Sequence, residues 1–292
     1  MLRIALPNKG RLSDDTRELF AEAGLEVRSR GDRALTASLG GEFEAIFVRA
    51  QDIPEFVADG AADAGVTGWD LVAESGRPLD MLLDLEFGVC RIVVAASDDS
   101  KLTSVGDIDG APRVATVFPR LTRRFFAEAG REVEIVPVSG AAEIAPHLGI
   151  ADIIVDLTST GSTLRVNGLR EIGTVLESSA RLIAAGGQAA LGGTAATDKR
   201  RALEELVAAL TSVIRARGQR YLMANVPRTA LERVKEILPG INGPTVIDIL
   251  NGGTYVAVHA VVAAASVYRT IASLKSLGAS GILVTRIERL MP

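Results

Sequence analysis

Short apolar runs, each followed by small or turn residues and then by a helical spacing of apolar positions, recur along the first two thirds of the chain. Leu2 to Leu6 reads as a buried strand leading into the loop Pro7-Asn8-Lys9-Gly10-Arg11. Ser13 is the expected cap of the next helix, with Asp14 and Asp15 in its first turn, Leu19, Phe20 and Ala23 on its apolar face and Gly24 as its stop. Strands are expected at 34–39 and 43–49, then a short helix from Pro54 to Gly60 and a strand over 63–67. That strand enters Gly68-Trp69-Asp70 and a helix ending near Gly76, with Asp70 also readable as a cap. Further strands fall at 82–87 and 90–96, and Arg91 interrupts the second, so its charge needs solvent, a partner or a ligand.

From Arg113 the alternation is regular: strand 114–117, helix 121–130, strand 133–138, helix 141–148, then a strand at Ile153. Such alternation predicts an α/β fold with a mostly parallel sheet covered on both faces, and ligands at the carboxyl ends of its strands. One or two strands follow over 171–185, then a long helix from Thr197 carrying Leu203, Leu206, Val207, Leu210, Val213 and Ile214. The remainder reads β-α-β-β-α-β, the order of a ferredoxin-like domain, with Asn251-Gly252-Gly253 as its hairpin turn.

Composition narrows the function classes. The 292 residues can bury a sizeable core and divide into two or three domains, and 48% apolar with 23% charged residues is too apolar for disorder. A net charge of −4 argues against a nucleic-acid binder that relies on a basic face. Cys90 is the sole cysteine and His147 and His259 the sole histidines, so disulfide frameworks and Cys/His metal clusters are excluded. With no signal-like stretch after Met1 and no run of about 18 apolar residues, a cytoplasmic protein free of membrane is expected.

The chemistry concentrates at 151–164. The apolar strand Ile153-Ile154-Val155, flanked by Asp152 and Asp156, passes into Thr158-Ser159-Thr160-Gly161-Ser162-Thr163, five hydroxyls around one glycine. Gly161 allows close backbone approach, the hydroxyls can donate to phosphate oxygens, and a following helix would present its unpaired N–H groups. Asp156 stands where it could accept from sugar hydroxyls or reach a phosphate-bound magnesium ion. A sugar phosphate suits both halves. Lys9, Gly10 and Arg11 form a second candidate anion site that does not match the nucleoside-triphosphate P-loop. No dinucleotide-type glycine fingerprint follows any strand, which sets aside a dehydrogenase.

The strand, acid and Thr-Gly-Ser-Thr run resembles the phosphoribosyl-pyrophosphate loop of phosphoribosyltransferases, with Leu157 where the widespread motif has a second acid. Together with Leu6 to Leu12, Gly65-Val66-Thr67-Gly68-Trp69-Asp70, Cys90-Arg91, Asn167-Gly168-Leu169, Tyr221-Leu222-Met223, Leu238-Pro239-Gly240, Gly243-Pro244-Thr245 and Leu277-Gly278-Ala279, it is similar to the long-form ATP phosphoribosyltransferase family. The resemblance implies a two-lobed core like the type II periplasmic binding proteins, lobe I over 1–90 with 180–217 returning to it and lobe II over 91–179. It also implies an ACT-like regulatory domain over 218–292.

The implied reaction joins N1 of the adenine of ATP to C1 of phosphoribosyl pyrophosphate with magnesium, the first step of histidine biosynthesis, inhibited by histidine in a dimeric or hexameric homo-oligomer. By that resemblance Thr158 to Thr163 hold the 5′-phosphate, and Asp156 and Asp152 face the ribose. Lys9, Gly10, Arg11 and Gly68 meet ATP or pyrophosphate, with Arg91 beside them and Asp70 near the ribose or magnesium. Asn225, Gly243, Thr245 and Ala279 are the expected histidine site. The alternative is a non-catalytic ligand-binding protein of the same two-lobed fold.

Overall fold

The structure, a computed structural model, describes residues 1–28, 34–186, 194–250 and 253–291 and divides into two compact units, Met1–Val207 and Ala208–Pro292. The expected turn at Asn251 and Gly252 lies outside the described residues.

The first unit holds two sheets. In the first, β1 (Leu2–Pro7) pairs in parallel with β4 (Phe43–Val48) and β5 (Ala64–Gly68), while β2 (Val27–Arg28) and β3 (Thr36–Leu39) extend the β4 edge. Beyond β5 come β12 (Ala180–Ala185) and β6 (Leu79–Asp84), with β12 antiparallel to both neighbours. In the second sheet β8 (Arg113–Thr116) pairs in parallel with β9 (Glu134–Pro137) and β10 (Ile153–Thr158). Beyond β10 lie β7 (Cys90–Ser97), antiparallel to it, and β11 (Leu169–Ser178), antiparallel to β7.

The two orders, β4-β1-β5-β12-β6 and β9-β8-β10-β7-β11, are the same. Each reads second, first and third parallel strand, then one antiparallel strand delivered from the other sheet, then the fourth. This is the two-lobed type II binding-protein topology expected above. The sheets are mixed rather than mostly parallel, because β7 and β12 enter as the chain crosses between lobes.

Strands buried on both faces need continuous apolar runs. On β10, Ile153 and Val155 pack with Ile92, Val94 and Phe126 on one face, and Ile154 packs with Val93, Ala115 and Leu164 on the other. Of the helices that matter below, α1 spans Ser13–Glu22, α2 Ile53–Ala58, α3 Trp69–Ser75, α4 Pro119–Glu128 and α5 Ser162–Val166. Ser13 is buried inside α1 and caps nothing; Leu12 holds the cap position without a side-chain bond. The helix expected over 141–148 is only a 3₁₀ turn, Ala142–Ile144, entered through Ala141 at φ 51°. The long α6 (Thr194–Ala216) begins three residues before the expected start.

In the second unit, β13 (Gln219–Pro227), α7 (Leu231–Ile237), β14 (Thr245–Asp248), β15 (Tyr255–Ala263), α8 (Val267–Ser276) and β16 (Ser280–Arg286) form an antiparallel sheet ordered β14-β15-β13-β16. That is the ferredoxin-like strand order. Alternate residues Leu222, Ala224, Val226, Val256, Val258 and Ala260 bury against Val234, Leu238 and Leu274.

Candidate active site

Strand register brings the carboxyl ends of both parallel sets to one place. Gly68, the last residue of β5, pairs with Ala180 at the start of β12, and Thr158, the last of β10, pairs with Arg91 near the start of β7. Since β7 and β12 begin where the chain crosses between lobes, both carboxyl ends face that crossing. The crossing itself is fixed by backbone bonds from Leu85 to Ala180 and from Ala180 to Phe87, 3.0 and 2.9 Å, and by Ser179 Oγ donating to Asp84 at 2.9 Å.

On the lobe II side, β10 delivers the loop. Gly161 sits at φ 72°, in the left-handed region, and its N–H donates to Thr158 Oγ1 at 2.8 Å. Thr160 Oγ1 donates to Ser162 Oγ at 2.9 Å, so two of the hydroxyls are already oriented together. Thr160 and Thr163 have backbone N–H groups without a protein acceptor among the described residues. The helix after the loop is one turn, five residues long, so its dipole adds little; the N–H groups and hydroxyls are what the loop offers an anion. Asp156, half-buried, accepts from its neighbour's N–H on Leu157 at 2.7 Å and caps nothing. Burial pushes its carboxyl up, the Leu157 bond pulls it partly back, and Glu143 adds a smaller push upward.

Arg91 lies beside this loop in a bidentate pair with Glu171, at 2.8 and 3.1 Å. From lobe I, Arg11 donates to the Gly88 carbonyl and to Cys90 Sγ, the latter at 3.4 Å, so it is tied to the crossing. Gly10, at φ 87°, has open space around it, and Lys9 is exposed with no ion pair among the described residues. Asp70 is 2% exposed, and Ser178 Oγ donates to its carboxylate at 2.6 Å while its own N–H donates to Ser178 Oγ at 2.9 Å. It neither caps α3 nor faces solvent: it ties the start of α3 to Ser178, where β11 ends and the chain crosses back. A side chain at Gly68 would meet that carboxylate at 2.3 Å. Burial and then Asp70 push the Cys90 thiol up against the opposing pull of Arg11, which disfavours its thiolate.

Asp152 is the clear departure from expectation. It precedes β10, roughly 20 Å of strand away from Thr158, and its carboxylate takes Arg113 Nη2 and the Arg113 backbone N–H, both at 2.8 Å. Hydrogen bonding to Arg113 holds its carboxyl below the usual range. Asp152 therefore pins the far end of the sheet and is not at the site.

In the second unit Thr245 lies on edge strand β14 and Ala279 directly before the opposite edge, β16, roughly 14 Å apart at three strand spacings. Asn225, on β13, pairs with Ser280, and Gly243 turns at φ 96° before β14. One copy of this sheet does not gather the four.

Three residues were missed in the sequence. Glu171 and Ser178 sit on β11 among ordinary strand residues, and their partners are 80 and 108 positions away. Arg165 lies in the last turn of α5, its guanidinium 3.0 Å from where a side chain on Gly161 would begin. Lobe contact is also made by Glu74 of α3, whose carboxylate accepts from the N–H groups of Arg120 and Leu121 at the start of α4, both at 2.9 Å. Among the described residues no group of three or more His, Cys, Asp or Glu could hold a metal. A dedicated protein cage is therefore not what this site offers; a cation carried largely by phosphate oxygens fits it better.

Two lobes joined at a crossing, with a hydroxyl-rich loop on one side and a basic loop on the other, are the arrangement expected above of an enzyme that transfers a phosphoribosyl group. The ATP phosphoribosyltransferase family model matches residues 49–212, and that of the HisG C-terminal domain matches residues 216–289. The chain is 70% identical to the ATP phosphoribosyltransferase of Gemmatimonas aurantiaca and 42% identical to that of Methanocaldococcus jannaschii, with all of each chain covered. It matches a chain of the ATP phosphoribosyl transferase (HisG:HisZ) complex from Thermotoga maritima with TM-score 0.62 and 27% identity, covering 74% of this chain and 99% of that one. The chain belongs to the ATP phosphoribosyltransferase family, in the long form that carries the C-terminal domain. It is a pentosyltransferase that joins ATP to phosphoribosyl pyrophosphate in the first step of histidine biosynthesis, not a non-catalytic binding protein. No helix among the described residues is long and apolar enough to cross a membrane.

Proposed function

We propose that the loop Thr158–Thr163 holds the 5′-phosphate of phosphoribosyl pyrophosphate, with Asp156 at the ribose and ATP entering from the side of Lys9, Gly10, Arg11 and Gly68. The observation that carries this assignment is the register that sets Thr158 opposite Arg91 and Gly68 opposite Ala180, so that both groups border one crossing. The N1 lone pair of adenine attacks C1 of the ribose as the C1–O bond to pyrophosphate breaks, with charge building on the ring as in an oxocarbenium ion. The attacking nitrogen is already unprotonated, so no general base is required. The chain's work is positioning and charge stabilisation. Asp156 stabilises positive charge on the ribose, the loop donors fix the 5′-phosphate, and Arg91, Arg11 and Lys9 draw on the departing pyrophosphate or the triphosphate. Bound mainly through the substrate phosphates, Mg²⁺ would supply neutralising charge for the leaving pyrophosphate. Asp70 acts through Ser178, fixing the crossing that Arg11 contacts at Gly88 and from which β7 carries Arg91. These substrates place the enzyme's work in the cytoplasm.

The second unit serves as the site of histidine feedback. The separation of Thr245 from Asn225 and Ala279 across the sheet favours a pocket completed by a neighbouring copy in a homo-oligomer, dimeric or hexameric, with Gly243 supplying backbone groups. Coupling of about 1–3 kcal/mol to the active site is the usual scale of such inhibition. Steady-state kinetics of Thr160→Ala test the first assignment: the KM for phosphoribosyl pyrophosphate should rise while that for ATP holds. Unchanged constants would make the loop an ordinary turn. For the second, Thr245→Ala and Ala279→Leu should each lose histidine inhibition with basal turnover retained, and full inhibition in both would place the effector elsewhere.

A further inference from the structure

Resting on the assignment of Arg91 to the departing pyrophosphate, we propose that Glu171 is a positioning residue that fixes the Arg91 guanidinium near Gly161 for phosphoryl oxygens of phosphoribosyl pyrophosphate. The side chain comes from β11, the edge strand of the lobe II sheet, where Glu171 pairs with Ala95, yet reaches the loop. One carboxylate oxygen lies 2.9 Å from the point where a side chain on Gly161 would begin. Its two oxygens each take one terminal nitrogen of Arg91, at 2.8 and 3.1 Å, the fork geometry that fixes the guanidinium plane as well as its place. The pair is neither buried nor free: Arg91 and Glu171 side chains are 36% and 29% exposed.

Such a fork occupies one N–H on each terminal nitrogen. The Nε–H of Arg91 and the outer protons have no protein acceptor among the described residues, and they remain for a ligand. A carboxylate at an anion loop needs a reason, because alone it repels phosphate. Here Arg91 neutralises it and Arg165, with no ion pair among the described residues, leaves a surplus positive charge at Gly161. The loop thus stays net positive while Glu171 removes the rotamer freedom of a long arginine before the substrate arrives, which is preorganisation.

The test is a double-mutant cycle on the full chain, reading kcat and the KM for phosphoribosyl pyrophosphate, with melting curves to confirm folding. Arg91→Ala should raise that KM by about tenfold or more, the scale of a charge-assisted bond. Glu171→Ala should raise it several-fold, and Glu171→Gln, which keeps one acceptor in the same volume and guards against a folding defect, should fall between. In the Arg91→Ala background the Glu171 changes should raise the KM no further, and should lower it by removing an unpaired carboxylate, since their favourable route runs through Arg91. Effects that multiply in the double variant overturn the proposal, as does an unchanged or lowered KM in Glu171→Ala and Glu171→Gln when Arg91→Ala raises it. If Arg91→Ala itself leaves the KM alone, the assignment of Arg91 fails first and the role of Glu171 falls with it.

Discussion

Gly161→Ala separates the loop's conformation from its chemistry. At φ 72° an L-residue pays about 1–2 kcal/mol. The added carbon meets only the tips of Glu171 and Arg165, at 2.9 and 3.0 Å, and both side chains can swing, so packing adds little to that cost. For a unit of 207 residues, at roughly 2–4 °C per kcal/mol, the melting temperature should fall by about 2–8 °C. The catalytic loss should be larger. Moving Glu171 disturbs Arg91, and the new carbon stands where the backbone meets phosphate; losing one well-placed donor costs roughly 3 kcal/mol, about a hundredfold in rate. Gly161→Asn supplies the control, because Asn tolerates the left-handed region and should recover most of the melting temperature while keeping the obstructing carbon. A spectrophotometric assay of product formation, run beside thermal melts, reads both. If both variants keep wild-type kcat/KM for phosphoribosyl pyrophosphate while Gly161→Ala alone melts early, the glycine serves only the turn and the phosphate lies elsewhere.

Other outcomes follow from the same geometry. Burial raises the folded-state pKa of Asp156, so its stabilising contribution is present below its ordinary value near about 3.9 and is lost as pH rises through the raised one. Asp156→Asn should therefore melt higher than wild type at neutral pH, with the gap closing in acid, while turnover collapses; a parallel loss of stability and activity would make the residue structural. Asp152→Asn should leave kcat and both KM values unchanged and shift stability by less than about 1 kcal/mol, because its pair with Arg113 is largely exposed; a kinetic loss like that of Asp156→Asn would contradict its placement. Glu74→Ala removes the carboxylate that caps α4 across the lobes, costing about 1 kcal/mol by calorimetry. It should also raise the KM for both substrates more than it lowers kcat, and unchanged KM values would deny the contact a part in holding the lobes.

The sequence carried the element order well because the elements are local: strands buried on both faces are continuous apolar runs, and the βαββαβ unit alternates as its sheet requires. Strand direction was not legible. Nothing in the apolar pattern of 90–97 or 180–185 says that these strands run antiparallel to their neighbours, since that depends on which lobe each one joins. Asp152 and Asp156 look like a pair in sequence, but four residues of strand are roughly 13 Å. They stand toward opposite ends of one strand, one against Arg113 and the other at the loop. Over 141–148 the apolar spacing suited a helix, and Ala141 in the left-handed region, with Pro146 shortly after, stops it at one 3₁₀ turn. Glu171 was hidden for another reason: a glutamate beside Arg170 at the start of a strand reads as solvent-facing, and only the fold sets it against Arg91.

The most direct measurement is a crystal structure of the protein with phosphoribosyl pyrophosphate and Mg²⁺ bound. The 5′-phosphate should lie on the loop from Thr158 to Thr163, taking the free N–H groups of Thr160 and Thr163, with Asp156 toward the ribose and Arg91 still forked on Glu171. A 5′-phosphate seated instead on the loop of Lys9, Gly10 and Arg11, with the Thr158–Thr163 loop empty, would contradict the assignment of the two lobes.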